Sequence, residues 1–146
     1  MSEEWKHAYW VSTLGKWAWV ICIINGIINI IRGFFGFFVI GLGIFGIGLR
    51  IWLIISGIII ILISFVIIKP KFSYKCAIKD WDGLYNWFLI IGEVRIPWML
   101  LWGIIVEIFG YGWGGLPIIV CSLALLIAGP KKYEWNAEKK HELKAE

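Results

Sequence analysis

Residues 17–70 read WAWVICIINGIINIIRGFFGFFVIGLGIFGIGLRIWLIISGIIIILISFVIIKP, and the way this run divides decides the fold. It is interrupted only by Asn25, Asn29, Arg32, Arg50 and a cluster of glycines, and a lysine-rich segment follows it. One bilayer crossing takes roughly 20 apolar residues for a ~30 Å hydrocarbon core. The run is too long for one crossing and predicts two membrane helices, over residues 17–40 and 50–68. The turn between them falls in GLGIFGIG, residues 41–48, whose four glycines suit a tight reversal. Pro70 is expected to end the second helix.

The remainder of the chain extends this pattern. Of 146 residues, 60% are hydrophobic and 16% charged, against roughly 45–50% and 25% in a soluble domain. Too little polar surface remains to clothe a water-facing globule. A third helix is expected over residues 84–109, interrupted by Glu93, Arg95 and Pro97. A second glycine-rich turn, GYGWGG, leads to a fourth helix over residues 116–128, which Gly129 and Pro130 stop. Thirteen residues rise only about 20 Å, short for a full crossing, so this helix either begins nearer Gly112 or thins the bilayer locally. The fold class read from the sequence is an all-α integral membrane protein, four transmembrane helices in two tandem hairpins. In this reading the single membrane domain comprises an N-terminal interfacial segment (1–16), hairpin 1 (17–70), a loop (71–83), hairpin 2 (84–130) and a charged tail (131–146).

The net charge of +4 resides almost wholly in residues 1–16, 69–82 and 131–146, a distribution that speaks for topology and against nucleic-acid binding. With four crossings these segments lie on one side, and the glycine turns on the other carry no lysine. Both termini are therefore expected in the cytoplasm, with the protein in the plasma membrane. Trp5, Tyr9 and Val11 or Ser12 could share one face of a short interfacial helix; a disordered tail is the plainer alternative. No signal peptide is expected, because the first apolar stretch follows Glu3 and Glu4, is too long for an h-region and has no small-residue cleavage site. The tail alternates Glu and Lys as a solvated helix or a frayed end would.

Sliding the chain by 66 residues places Gly26 on Gly92, Asn29 on Arg95, and Phe45, Gly46 and Gly48 on Tyr111, Gly112 and Gly114. Each half would then be a helical hairpin closed by an aromatic-Gly-x-Gly turn, the two related by an axis along the membrane normal. Low-complexity Ile/Gly sequence also aligns with itself by chance.

Polar groups inside apolar spans are the candidate functional residues, since lipid offers them no hydrogen bonds. Asn25, Asn29 and Arg32, at i, i+4 and i+7, form one helical stripe. The plainer role for the stripe is glue between helices; the sharper one is the lining of a path for an ion or polar solute. Glu93 and Arg95 would face different ways on a helix, and Pro97 would kink it by removing a hydrogen bond to the carbonyl of Glu93. Arg50 and Glu107 fall near the outer boundary and could pair. Trp98 and Trp102 more often fill a helix interface than stack on a cofactor.

Catalytic signatures are missing: no HExxH, Walker loop or GxSxG occurs, and the histidines stand at opposite ends. Glu93 and Glu107, about 21 Å apart along a helix, could not share acid/base work. Cys22, Cys76 and Cys121 form no CxxC pair, so no metal cage or disulfide framework is indicated. The sequence thus leads to a non-catalytic membrane protein without cofactor, whose partners are the lipid bilayer and copies of itself or other membrane subunits. A small oligomeric channel or transporter is the alternative, and lipid or quinone binding between helices has only the tryptophan pair behind it.

Overall fold

A computed structural model describes residues 5–38 and 44–137. Residues 39–43, with the first part of the glycine turn expected at 41–48, residues 1–4 and residues 138–146 lie outside the described residues; from Ile44 the expected turn is already helical. The chain is mostly helical. Helix α1 (Ala8–Gly36) is followed by α2 (Ile44–Ile63), which widens into an i→i+5 turn pattern over Ser64–Ser73 and returns to α-helical form in α3 (Tyr74–Ala77). A short α4 (Trp81–Tyr85) precedes a hairpin of β1 (Phe88–Ile91) and β2 (Val94–Pro97), then α5 (Trp98–Gly110) and α6 (Leu116–Ala128). Two helices are long and apolar enough to cross a membrane, Ala8–Gly36 and Gly46–Ala77.

These two lie antiparallel and touch through glycines. A Cβ on Gly26 would sit 2.7 Å from the Gly57 carbonyl, and one on Gly57 would sit 2.5 Å from that of Gly26, so the backbones meet where neither residue has a side chain. Gly33, two turns further along α1, meets the backbone of Arg50 in the same way. Close approach multiplies dispersion contacts where solvent exclusion between apolar helices supplies little drive. Pro70 does not end the second helix. It sits inside the widened segment, where i→i+5 turns relieve the clash a proline ring makes with the carbonyl four residues back. The helix accordingly continues to Ala77, through residues expected to be loop.

The third expected helix is replaced by a sheet. Residues 88–97 pair antiparallel, Phe88 with Pro97 through Ile91 with Val94, and α5 starts only at Trp98. The reason is local: FLII and VRI are rich in β-branched and aromatic residues, two residues separate the runs, and Gly92 supplies a φ of +62° at the first turn position. Pro97 also biases Ile96 towards extended backbone. Pro97 therefore kinks no helix; it closes β2 and occupies the N-cap position of α5. The tail runs beside β2 as an added strand, Arg95 N donating to Trp135 O at 2.7 Å and Ala137 N to Glu93 O at 2.9 Å. That replaces the expected solvated helix over the described part of the tail.

α5 and α6 span 13 residues each, about 20 Å apiece, which is short of a ~30 Å crossing. Among the described residues two helices reach crossing length and two fall short of it, so four crossings are not shown; two long apolar helices carry a shorter helical hairpin. Nor do the halves superpose in kind, since Gly26 lies in α1 and Gly92 in a β-turn. Among the described residues of the N-terminal segment no helix separate from α1 forms: Val11 is buried and Tyr9 exposed on the first turns of α1. Trp5 stands just before α1, its ring edge-on to Trp81 and its indole N–H donating to the carbonyl of Ala128.

The glycine crossing makes a direct prediction. Gly26→Leu forces a side chain into the Gly57 backbone and into Ile61, and should cost about 1–3 kcal/mol. Thermal unfolding in detergent should register this as a lowered midpoint, while Gly48→Leu, which has open space around it, should leave the midpoint near the parent value.

Candidate functional site: a polar seam at the tip of the short hairpin

The C-terminus of α5 leaves carbonyls that its own helix does not satisfy. Tyr111 follows in the left-handed region with φ 54° and Gly112 with φ 100°, turning the chain sharply so that these carbonyls face α1. Asn25 and Asn29 meet them. Asn25 Nδ2 donates to Gly110 O at 3.0 Å and Asn29 Nδ2 to Phe109 O at 3.3 Å. Cys22 Sγ, one turn back, donates to Gly114 O at 3.1 Å. Both asparagines are fully buried.

The other end of the turn is capped from within the hairpin. Gly115 N donates to Glu107 Oε2 at 2.9 Å, so a carboxylate from α5 sits at the start of α6, where free N–H groups and the helix dipole favour negative charge. Glycines make the approach feasible: a Cβ on Gly110 or Gly114 would come within 2.7 or 2.5 Å of Asn25 Oδ1. The seam is thus an arrangement in which α1 caps α5 and α5 caps α6. From there α6 runs back antiparallel to α1, with Cys121 Sγ donating to Val11 O at 3.6 Å. Its last turn is satisfied in turn by Tyr85, whose hydroxyl donates to Leu125 O at 2.6 Å, and by Trp5 at Ala128 O.

The expected site residues thus scatter. Asn25, Asn29 and Glu107 come together. Arg32 does not join them: the buried face of α1 continues from Asn29 to Gly33, and Arg32 points outward. Arg50 is buried with its guanidinium against Gly36, where a Cβ would lie 2.6 Å from Nη1. No ion pair joins it to Glu107, which is committed to Gly115. Glu93 is exposed in the β-turn, whereas Arg95 is buried on β2, in a strand and not in a kinked helix. The Arg95 guanidinium stacks on the Phe88 ring at 3.8 Å and reaches Glu134 at 3.8 Å. Trp98 and Trp102 stack on one another at 6.1 Å.

Two acceptors in the seam, Asn25 Oδ1 and Asn29 Oδ1, are buried without a hydrogen-bond partner. Among the described residues no group of three or more His, Cys, Asp or Glu is arranged to hold a metal ion. Compared with models of protein families, with curated proteins and with solved structures, the chain matches none of them.

Removing a seam donor leaves a buried carbonyl unsatisfied, at about 1–3 kcal/mol. Asn25→Leu and Asn29→Leu should each destabilise the fold by that order, and the double variant by less than the sum, since both hold one hairpin tip; denaturant titration in detergent measures both quantities. Tyr85 allows a test by pH. Burial pushes its phenol up to about 12, with a hydrogen bond from the Lys131 backbone opposing and Asp82 adding to the rise. A raised folded-state pKa stabilises fully below the ordinary value near 10 and loses that contribution as pH climbs towards 12. The parent should lose stability across that alkaline window, and Tyr85→Phe, weaker by about 1 kcal/mol at neutral pH, should lose less of its own.

Proposed function

We propose that this chain is a non-catalytic integral membrane protein serving as a structural or accessory subunit of a homo-oligomeric or larger membrane complex. In this reading α1 and the α2–α3 helix cross the bilayer, while α5 and α6 enter it from the side of the termini and return. Both termini and the β-hairpin then face the cytoplasm, and the plasma membrane is the expected location. Support for insertion comes from the outward faces of the long helices. Ile24, Ile27, Ile31, Phe34 and Phe35 on α1, and Ile51, Trp52, Ile55, Ile58 and Leu62 on α2, are all exposed. The core helix of a soluble protein would hide such residues. Lys16, Trp17, Trp19 and Lys69 gather at one level, with the Lys69 ammonium 4.5 Å from the Trp19 ring, as cations and aromatics do at a membrane boundary.

Arg32 is the observation that carries the subunit role. Its side chain stands on an apolar outward face beside Ile31 and Phe35, where lipid offers a guanidinium no hydrogen bonds; the cost, roughly 2.5–3.5 kcal/mol at a helix centre, is smaller here, one turn from the end of α1. A neighbouring chain presenting an acceptor would remove that cost. The purified protein should therefore have a native mass in detergent well above its own 16.8 kDa, and Arg32→Leu should shift the population towards the single chain. A parent that floats with liposomes yet is a lone 16.8 kDa chain would overturn the subunit role; one that fails to float would overturn the membrane reading itself.

The unpartnered Asn25 and Asn29 acceptors favour a second reading, a small oligomeric channel or transporter, because half-helix ends with free oxygens inside a bilayer suit a cation. Ion flux through liposomes holding the parent, abolished in Asn29→Leu, would favour it; a tight parent removes it.

A further inference from the structure

Between α4, β2 and the tail lies a pocket of about 440 Å³, with Asp82, Tyr85, Arg95, Lys131, Lys132 and Glu134 among its walls. We propose that this pocket binds a phosphate-bearing group, either the headgroup of an anionic phospholipid or a soluble phosphate ester. Arg95 is the central reason. It is only 6% exposed, its guanidinium is clamped flat on Phe88, and its Nε is buried without a hydrogen-bond partner. Burying a charged donor in that state is costly unless something completes it. Glu134, at 3.8 Å and half exposed, is too distant for a close bidentate pair, whose N–O contacts run near 2.7–2.9 Å.

Charge and polarity fit an anion. Three cations face two carboxylates, and Asp82 is already held by Lys131 at 2.6 Å. Lys132 has no acidic partner among the described residues, so its ammonium is available at the rim. The two phenols nearby stay neutral: burial raises both Tyr85 and Tyr133, the Arg95 charge opposing the rise at Tyr133. Two of the α6 carbonyls that would repel an anion at this end are covered, Leu125 O by Tyr85 and Ala128 O by Trp5. A planar guanidinium fixed on an aromatic ring, with an exposed lysine in the same pocket wall, matches the oxygens of a phosphate.

Position favours a ligand with a tail. The pocket opens just past the end of α6, whose outward side carries Leu116, Val120, Leu123 and Ile127, the last 82% exposed. Spaced i, i+4, i+7 and i+11, these residues make one apolar stripe that ends at the cationic wall. A phospholipid could lay an acyl chain on the stripe with its phosphate at Arg95. The lipid form rests on the membrane reading above, whereas the soluble-phosphate form does not, which keeps the two failures separable.

The test uses the full chain in two arms. In the first, protein from nanodiscs of phosphatidylcholine doped with phosphatidic acid is weighed by native mass spectrometry, counting retained lipids. In the second, glycerol phosphate is titrated calorimetrically into protein in a neutral detergent. Retention of phosphatidic acid over phosphatidylcholine, falling at least fivefold in Lys132→Glu and Arg95→Gln, is expected if the ligand is a lipid. Binding of glycerol phosphate with the same sensitivity and no lipid preference identifies a soluble ester. Should Arg95→Gln fail to fold, judged by circular dichroism, Lys132→Glu at the exposed rim decides alone. Absence of binding in both arms, or binding indifferent to Lys132→Glu, overturns the proposal.

Discussion

Backbone polar groups at a helix end must find partners, and the turn from α5 into α6 is pressed against buried amides of α1. That requirement organises the molecule. The carbonyls of Phe109 and Gly110 take the amides of Asn29 and Asn25, and the N–H of Gly115 takes Glu107. Without those caps a helical hairpin of 13-residue arms would end in stranded dipoles against α1. With them, the tip is pinned about 26 Å along α1 from Ala8, counting 17 residues at the helical rise. The rest of α6 then has only one course, back along the first half of α1.

The same rule explains why so much glycine is needed. Asparagine can reach a carbonyl on a neighbouring helix only if the two backbones come close, and Gly110 and Gly114 leave the space that Asn25 fills. Gly26 and Gly57 do likewise for the two long helices. Polar groups and glycines are thus two halves of one device: the first supplies direction and the second lets it act at short range. Arg32 stands outside it, one position off the buried stripe and on the exposed side of α1.

A second polar region sits apart from the seam and on different elements. The β-hairpin and the tail hold Arg95 between Phe88, Tyr133 and Glu134, and Lys131 and Asp82 tie the tail to α4. Exposed pairs such as the last contribute little energy; their effect is to set the walls of the pocket. The molecule therefore has an inner seam that is almost wholly consumed by its own structure and an outer pocket that is not. That contrast is the ground for proposing an architectural role for the seam and a ligand for the pocket.

The sequence alone determined the two long apolar helices, since only length and unbroken hydrophobicity are needed for them, and it picked out Asn25 and Asn29, since an amide in such a run must have a partner. It misleads over residues 84–109, where apolar character reads as helix although two short β-branched runs around Gly92–Glu93 carry the spacing of a hairpin. It misleads at Pro70 as well, because a widened turn can absorb a proline where an α-helical turn cannot. Only the tertiary structure decided which carbonyls the asparagines meet, that Glu107 serves Gly115 and not Arg50, and that Arg95 is buried beside a tail forty residues away. These are long-range choices, set by how glycine contacts and a β-turn fold the chain back on itself, and no periodicity along the sequence encodes them.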